Sequence, residues 1–496
     1  MATPLLIGLD IGTSGVKGLA IRPDGAIAAS ATREYPLLTP HPGWAEQNPE
    51  DWWQGTVAVI RDLVGAAGGD PIAGVGLTGQ MHGAVFMDSA GAVIRPAILW
   101  CDQRTEAECA EITRKVGAET LQRITANPAL TGFQAPKILW VRNHEPENYA
   151  RIEKVLLPKD YIRWRLSAEF FTDVSDASGT TLFDVPNRRW SDEVMAALDI
   201  KRAWFAKEVE SSTVAGSVSA SAAAETGLPA GVLICGGGGD QAAGAVGAGI
   251  TRPGVVSSTV GTSGVVFAYS DKPWIDPQGR IHTFCHAVPG AWHVMGVMLS
   301  AGGALRWLRD TMGYASYAEI NADVLSVPPG SEGLTFLPYL SGERTPHKDP
   351  NARGVFFGLS LSHTRAHMAR AVMEGVAYGL NDSFRIFHEL NVPLQEVRAA
   401  GGGARSDVWL QIQADITGLP HCRLNVDEGP AYGAAILAGV AAGTFGSVPA
   451  ATDAFIKPVS TVQPNPANRA VYDEGYARFR DLYAILKPEF QKAALI

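Results

Sequence analysis

The stretch LLIGLDIGTSGVKGLAI, residues 5–21, decides the fold, because its centre returns as VVSSTVGTSGVVFAYS at residues 255–270. The pentapeptide GTSGV occupies Gly12–Val16 in one copy and Gly261–Val265 in the other. In each, β-favouring residues run into Gly-Thr-Ser-Gly and then resume, the pattern of strand, tight turn and strand. A single turn of this kind is an ordinary hairpin. Two copies, one near the start of each half of the chain, point to a pair of related hairpins. Glycines at both ends of each turn predict backbone with positive φ that approaches a ligand closely. The N–H groups and hydroxyls of such a turn suit phosphate oxygens, which makes Gly12, Thr13, Ser14, Gly261, Thr262 and Ser263 candidates for holding a nucleotide. The copies differ just before the turn, where Asp10 of the first is Thr259 in the second. A carboxylate beside a phosphate turn suits Mg²⁺, which takes one or two carboxylates plus phosphate oxygens and keeps several waters. Asp10 is therefore the candidate metal-side residue.

Outward from the hairpins, a chain of 496 residues with 46% hydrophobic composition is too long for one ordinary core and predicts two or three domains. The turn formers Arg252-Pro253-Gly254 precede the second hairpin and place the division at 1–250 and 251–496. A formal charge of -9 without runs of Lys or Arg argues against a nucleic-acid partner, which needs clustered cations. The first residues carry no basic region ahead of an apolar core, so a cytoplasmic protein is expected. The uncharged segment 429–452 is dominated by Gly and Ala. It reads as a packed helix and not a membrane span, and no membrane partner is expected. Five cysteines without a CxxC pair fit reduced thiols. His282, Cys285 and His286 in HTFCHA lack further ligands for a tetrahedral site.

A second stretch, GGGGDQAAGAVGAGI at residues 236–250, carries one carboxylate, Asp240, between four glycines and a run of small residues. The pattern predicts a helix start, where the dipole favours an ionised carboxylate, and Ala242, Ala243 and Gly244 leave space for a substrate. Two other glycine patterns carry no site. GVGLTG, Gly74–Gly79, has the GxGxxG spacing but lies within a strand-like run, and no GxxxxGK[ST] motif occurs. In contrast, Val397–Ala400 reads as a strand that turns at Gly401–Gly403 into a helix bearing Val408, Leu410, Ile412 and Ile416. Such a turn lets a flat base or an α-phosphate lie against the backbone.

With these pieces in place, the chain resembles the FGGY carbohydrate kinases. The resemblance runs nearly end to end. It is carried by LDIGTSGVK, TGQMHGAVFMD, RPAILWCDQRT, LLPKDYIRWRL, GGGGDQAAGAVG, GTSGV, FLPYLSGERTPH, GVFFGLSLSHTRAHMARAVMEGVAYGL, GGGARSDVWLQIQADITG and EGPAYGAAILAG, in that order. It implies an α/β protein with the actin-like (ribonuclease H-like) ATPase fold: two similar domains, each a five-stranded mixed sheet flanked by helices, with the active-site cleft between them. It further implies ATP-dependent phosphorylation of D-xylulose at its terminal hydroxyl, with another ketopentose or polyol such as ribulose as the alternative substrate and an actin-like chaperone ATPase as the remote alternative, with ATP and Mg²⁺ as cofactors and a homodimeric state. Asp240 becomes the catalytic base. Gln80, Met81, His82, Trp100, Asp102 and Gln241 become sugar-site residues, Lys17 joins the phosphate turn, and Gly402 and Gly403 face the adenosine. The small residues Gly433, Ala434 and Ala435 are expected to pack behind the nucleotide.

Overall fold

The computed structural model describes residues 4–493. The first half builds a mixed sheet from β1 (Leu5–Ile11), β2 (Gly15–Ile21), β3 (Ile27–Glu34), β4 (Ile72–Gly79), β5 (Val214–Ser217), β6 (Leu233–Cys235) and β7 (Gly238–Gly239), in the order β5-β6-β4-β1-β2-β3 with β7 beside β4. The second half repeats the plan with β8 (Gly254–Val260), β9 (Gly264–Ser270), β10 (His282–Cys285), β11 (Trp292–Met298), β12 (Leu394–Ala400), β13 (His421–Leu424) and β14 (Pro458–Val462), in the order β10-β11-β9-β8-β12-β13-β14.

The path β3-β2-β1-β4-β6 and the path β11-β9-β8-β12-β13 have the same strand directions: two antiparallel pairings, then two parallel ones. The expected five strands are thus corrected to seven in each sheet. The additions are β5 and β7 in the first, and β10 and β14 in the second. They are two to five residues long, too short to impose a hydrophobic period. The result is a two-domain α/β fold of mixed sheets flanked by helices, in keeping with an actin-like ATPase fold.

The central strands are apolar because both faces are covered. In β1 every residue but Asp10 is buried. One face of the first sheet takes α1 (Pro49–Ala66), which starts at the Asn48 cap and buries Trp52 and Trp53. The other face takes α4 (Gly429–Ala441), a helix from the far end of the chain. It packs there because the sheet offers glycine. A Cβ on Gly8 would sit 1.9 Å from the Ala431 carbonyl oxygen, and one on Gly76 1.9 Å from that of Ala434. Gly433, Ala434 and Ala435 therefore lie between the sheet of the first hairpin and α2 (Asp240–Gly247). The same helix meets α2 with almost no side chain between them, a Cβ on Gly433 falling 1.8 Å from the Ala243 oxygen. The remaining element needed below is α3 (Asp407–Thr417), capped by Ser406 and ended by Gly418 in the left-handed region. Among the described residues no helix is long and apolar enough to cross a membrane.

Candidate active site

Both GTSGV segments form hairpin turns, β1 to β2 and β8 to β9, closed by Gly12 N–H to Gly15 O at 3.0 Å and Gly261 N–H to Ser263 O at 2.9 Å. Their glycines do not take positive φ as expected. They are needed for space: a Cβ on Gly15 would meet the Arg33 oxygen at 2.4 Å, and one on Gly264 the Leu380 side chain at 2.8 Å. Ser14, Thr262 and Ser263 are exposed at the turns, while Gly12 and Thr13 are half-buried. The second turn is braced by the amides of Ala301 and Gly303 on the Thr262 carbonyl, at 2.9 and 3.0 Å. Arg306 donates to Thr262 Oγ1 at 2.7 Å.

Gly261, Thr262, Gly402 and Gly403 line one cavity of about 660 Å³, together with Arg306, Tyr317 and Asn321. These last three were invisible in the sequence, because nothing local ties them to the glycine turns. The turn after β12 behaves as anticipated. Gly401 has φ of 76°, and a Cβ on Gly403 would lie 2.6 Å from that of Val260, so the turn presses directly on the second hairpin strand. Helix α3 follows it.

Asp240 is the first residue of α2, with Gly239 as its cap. It and Gln241 line a second cavity, of about 450 Å³, whose wall also includes Thr259, Gly401, Asp427 and Pro430. Residues of the first half, the second sheet and the start of α4 thus share one space. Burial pushes the Asp240 carboxyl up to about 6, against hydrogen bonds from Gln241. Burial, and after it the Asp240 charge, pushes Asp10 up to about 7, with Lys17 pulling the other way. Asp10 and Lys17 face each other across β1 and β2. Lys17, expected at the phosphates, forms an ion pair with Glu428 at 2.5 Å and so links the first hairpin to the start of α4. The buried Asp10 Oδ1 has no protein hydrogen-bond partner. An orphaned carboxylate oxygen next to a phosphate-type turn fits a bound Mg²⁺.

Of the residues expected at the sugar, Met81 covers the glycine before the carboxylate, since a Cβ on Gly239 would lie 2.9 Å from Met81 Cγ. His82 has φ of 68° and is not part of a strand. Its ring stacks on Phe133 with centroids 4.5 Å apart, its carbonyl accepts from the buried Lys137 ammonium at 2.9 Å, and its Nδ1 lies 2.7 Å from the Gly179 carbonyl oxygen. A carbonyl only accepts, so Nδ1 carries the proton and Nε2 is the acceptor. Burial holds the ring down at about 3, hence neutral.

Two expected sugar residues are placed elsewhere. Gln80 is buried behind the first hairpin, donating to Gln47 at 2.9 Å and accepting from Thr13 Oγ1 at 3.3 Å. Asp102 is fully enclosed, its oxygens taken by Arg104 and by the Ala45 amide at 2.6 Å. Asp102 serves as scaffold, because both its oxygens have their partners inside the protein, whereas Gln80 braces the first hairpin with one of its two amide hydrogens. Trp100 is 43% exposed, and its indole donates to Thr13 Oγ1 at 2.9 Å.

Comparisons with known proteins identify the family. The N-terminal domain of the FGGY family of carbohydrate kinases matches residues 5–247 and its C-terminal domain residues 256–442. The chain is 42% identical over 485 residues to the xylulose kinase of Escherichia coli (strain K12), covering 98% of this chain and 99% of that one. Among solved structures it resembles the xylulose kinase from Rhodospirillum rubrum, with TM-score 0.93, 36% identity and coverage of 98% and 100%. It also resembles a gluconate kinase from Lactobacillus acidophilus, with TM-score 0.94, 27% identity and 99% of each chain. The chain belongs to the FGGY family of carbohydrate kinases and is an ATP-dependent carbohydrate kinase.

Proposed function

We propose that the protein transfers the terminal phosphoryl group of ATP to the 5-hydroxyl of D-xylulose, with Asp240 as the catalytic base. The observation that carries this reading is the shared cavity: Asp240 and Gln241 stand in one wall, and Thr259 and Gly401, beside the second hairpin and the glycine turn, stand in another. The choice of sugar is supported by the E. coli relative named xylulose kinase.

At neutral pH a carboxyl near 6 is ionised. It remains far weaker than an alkoxide, but phosphoryl transfer passes through a loose transition state in which the hydroxyl proton leaves late. Asp240 therefore needs to align the hydroxyl and take its proton at the end. His82 Nε2 accepts from a sugar hydroxyl, Gln241 offers both an amide donor and an acceptor, and Met81 closes the pocket against water. Ser14, Thr262, Ser263 and the amides of the two turns, that of Thr13 among them, hold phosphate oxygens, while the Thr13 hydroxyl gives its one hydrogen to Gln80, and Gly402 and Gly403 lie against the nucleoside. Asp10 would hold Mg²⁺, which supplies positive charge to the phosphoryl oxygens when bound.

We place the domain division at 1–250 and 251–496, with α4 docked back on the first domain, and a sugar closed between the two. Closure excludes water that would otherwise take the phosphoryl group. A homodimer in the cytoplasm completes the reading, and light scattering tests the dimer.

The function is tested by following ADP release with D-xylulose, L-ribulose, D-ribulose, gluconate and glycerol. Strong stimulation by D-xylulose above the others is expected. Turnover that no sugar raises above the basal rate would overturn the reading.

A further inference from the structure

Behind the Gly239–Asp240 junction lies TDVSDASGT, Thr172–Thr180, the stretch that carries the Gly179 partner of His82 and every residue of which is buried. Asp173 caps the turn of helix Val174–Ala177, its Oδ1 accepting from the amides of Ser175 and Asp176 at 2.9 and 3.2 Å. Its Oδ2 pairs with Lys159 Nζ at 2.7 Å, and both side chains are completely enclosed. Lys159 also meets Asp160 at 2.7 Å and Asp176 at 3.0 Å. The hydroxyl of Ser175 sits between this ion cluster and the catalytic loop, 2.5 Å from Asp173 Oδ1 and 3.2 Å from the Gly239 amide nitrogen.

The direction of each hydrogen bond follows from the groups themselves. A carboxylate paired with an ammonium only accepts, so the single hydroxyl hydrogen of Ser175 goes to Asp173. The lone pairs of Ser175 are then left for the Gly239 N–H. That amide belongs to the cap of α2, so its placement sets where Asp240 begins. The same stretch reaches the sugar histidine through the Gly179 carbonyl and the second half through Ser178, whose hydroxyl accepts from the Cys285 amide at 3.0 Å.

We propose that Ser175 is a positioning residue for Asp240, transmitting the fixed Lys159–Asp173 pair to the Gly239–Asp240 junction; the inference rests on Asp240 acting as the base. Ser211 provides an internal control. Its hydroxyl also donates to Asp173 Oδ1, at 3.3 Å, but makes no hydrogen bond to Gly239, and the Ser211 carbonyl, which accepts from the Gly237 amide, is unchanged by substitution of the side chain.

The experiment compares Ser175→Ala, Ser175→Thr and Ser211→Ala in the full chain, with folding checked by thermal melting. Ser175→Ala is expected to lower kcat by about ten- to a hundredfold while the sugar KM stays within about twofold, as a small misplacement of the base would do. Ser175→Thr, which restores the hydroxyl, should recover most of the rate, and Ser211→Ala should leave kcat near that of the parent. Should the alanine variant not accumulate, Ser175→Cys, of similar volume and a poor acceptor, carries the same comparison. A folded Ser175→Ala with unchanged kcat, or an equal loss in Ser175→Ala and Ser211→Ala, overturns the proposal. Asp240→Asn separates the two ideas. If it is inactive while Ser175→Ala is unimpaired, only the positioning role falls, whereas an active Asp240→Asn removes the base itself.

Discussion

His82 donates a hydrogen bond from Nδ1–H to the carbonyl of Gly179, 2.7 Å away, across 97 residues of sequence. The contact fixes the tautomer and leaves Nε2 to accept from a ligand. It also leaves no room, since a Cβ on Gly179 would lie 2.3 Å from Nδ1. Gly179 is not among the glycines with positive φ, so alanine there meets a clash and no backbone strain. Gly179→Ala is expected to displace the ring and raise the sugar KM roughly tenfold or more, the loss of about one buried hydrogen bond. The nucleotide KM should be unchanged, and initial rates over both substrates check the split.

The pH dependence follows from the carboxyl of Asp240, raised by burial to about 6. A base must be ionised, so at saturating Mg²⁺ kcat/KM should fall about tenfold for each unit of pH below about 6, while at limiting Mg²⁺ the fall should begin nearer 7, where Asp10 takes up its proton. His82, held near 3, adds no limb in that range. Stability moves the opposite way for this group. Its folded value lies above its ordinary one, so between the two the native state binds more protons, and its contribution to stability rises as pH falls. A rate profile recorded beside melting temperatures distinguishes loss of the base from unfolding.

Helix α2 carries Asp240 and rests on α4 through Gly433 and Gly247, where added Cβ atoms would fall 1.8 Å from the Ala243 oxygen and 2.3 Å from the Gly429 oxygen. Gly433→Ala forces the helices apart. Overpacking of this kind costs about 1–3 kcal/mol, and here the displaced element bears the proposed base. Both the melting temperature and kcat are expected to drop, with calorimetry and steady-state kinetics as the checks.

The parts of this site that were legible in the sequence are those written in short-range pattern. The hairpins announce themselves through β-branched residues around a repeated turn, and the start of α2 through glycines followed by small residues around one carboxylate. The strand, turn and helix from Val397 onward are local too. What the sequence did not disclose depends on partners far along the chain. Gln80 and Asp102 look like pocket residues until Gln47, Thr13, Arg104 and Ala45 are found to occupy their polar atoms. The small residues of α4 promise close packing but not the surface that receives it. Ser175 and Gly179 gain their meaning only from Gly239 and His82. The edge strands are too short to carry a period, so the sheets proved wider than expected.

The most direct measurement compares the parent protein with Asp240→Asn at saturating ATP, Mg²⁺ and D-xylulose, with sugar binding followed by calorimetry. Turnover of the folded variant should be lower by about 10²–10⁴ with sugar affinity largely retained. A folded Asp240→Asn protein that phosphorylates D-xylulose at the parental rate would contradict the assignment of Asp240 as the base.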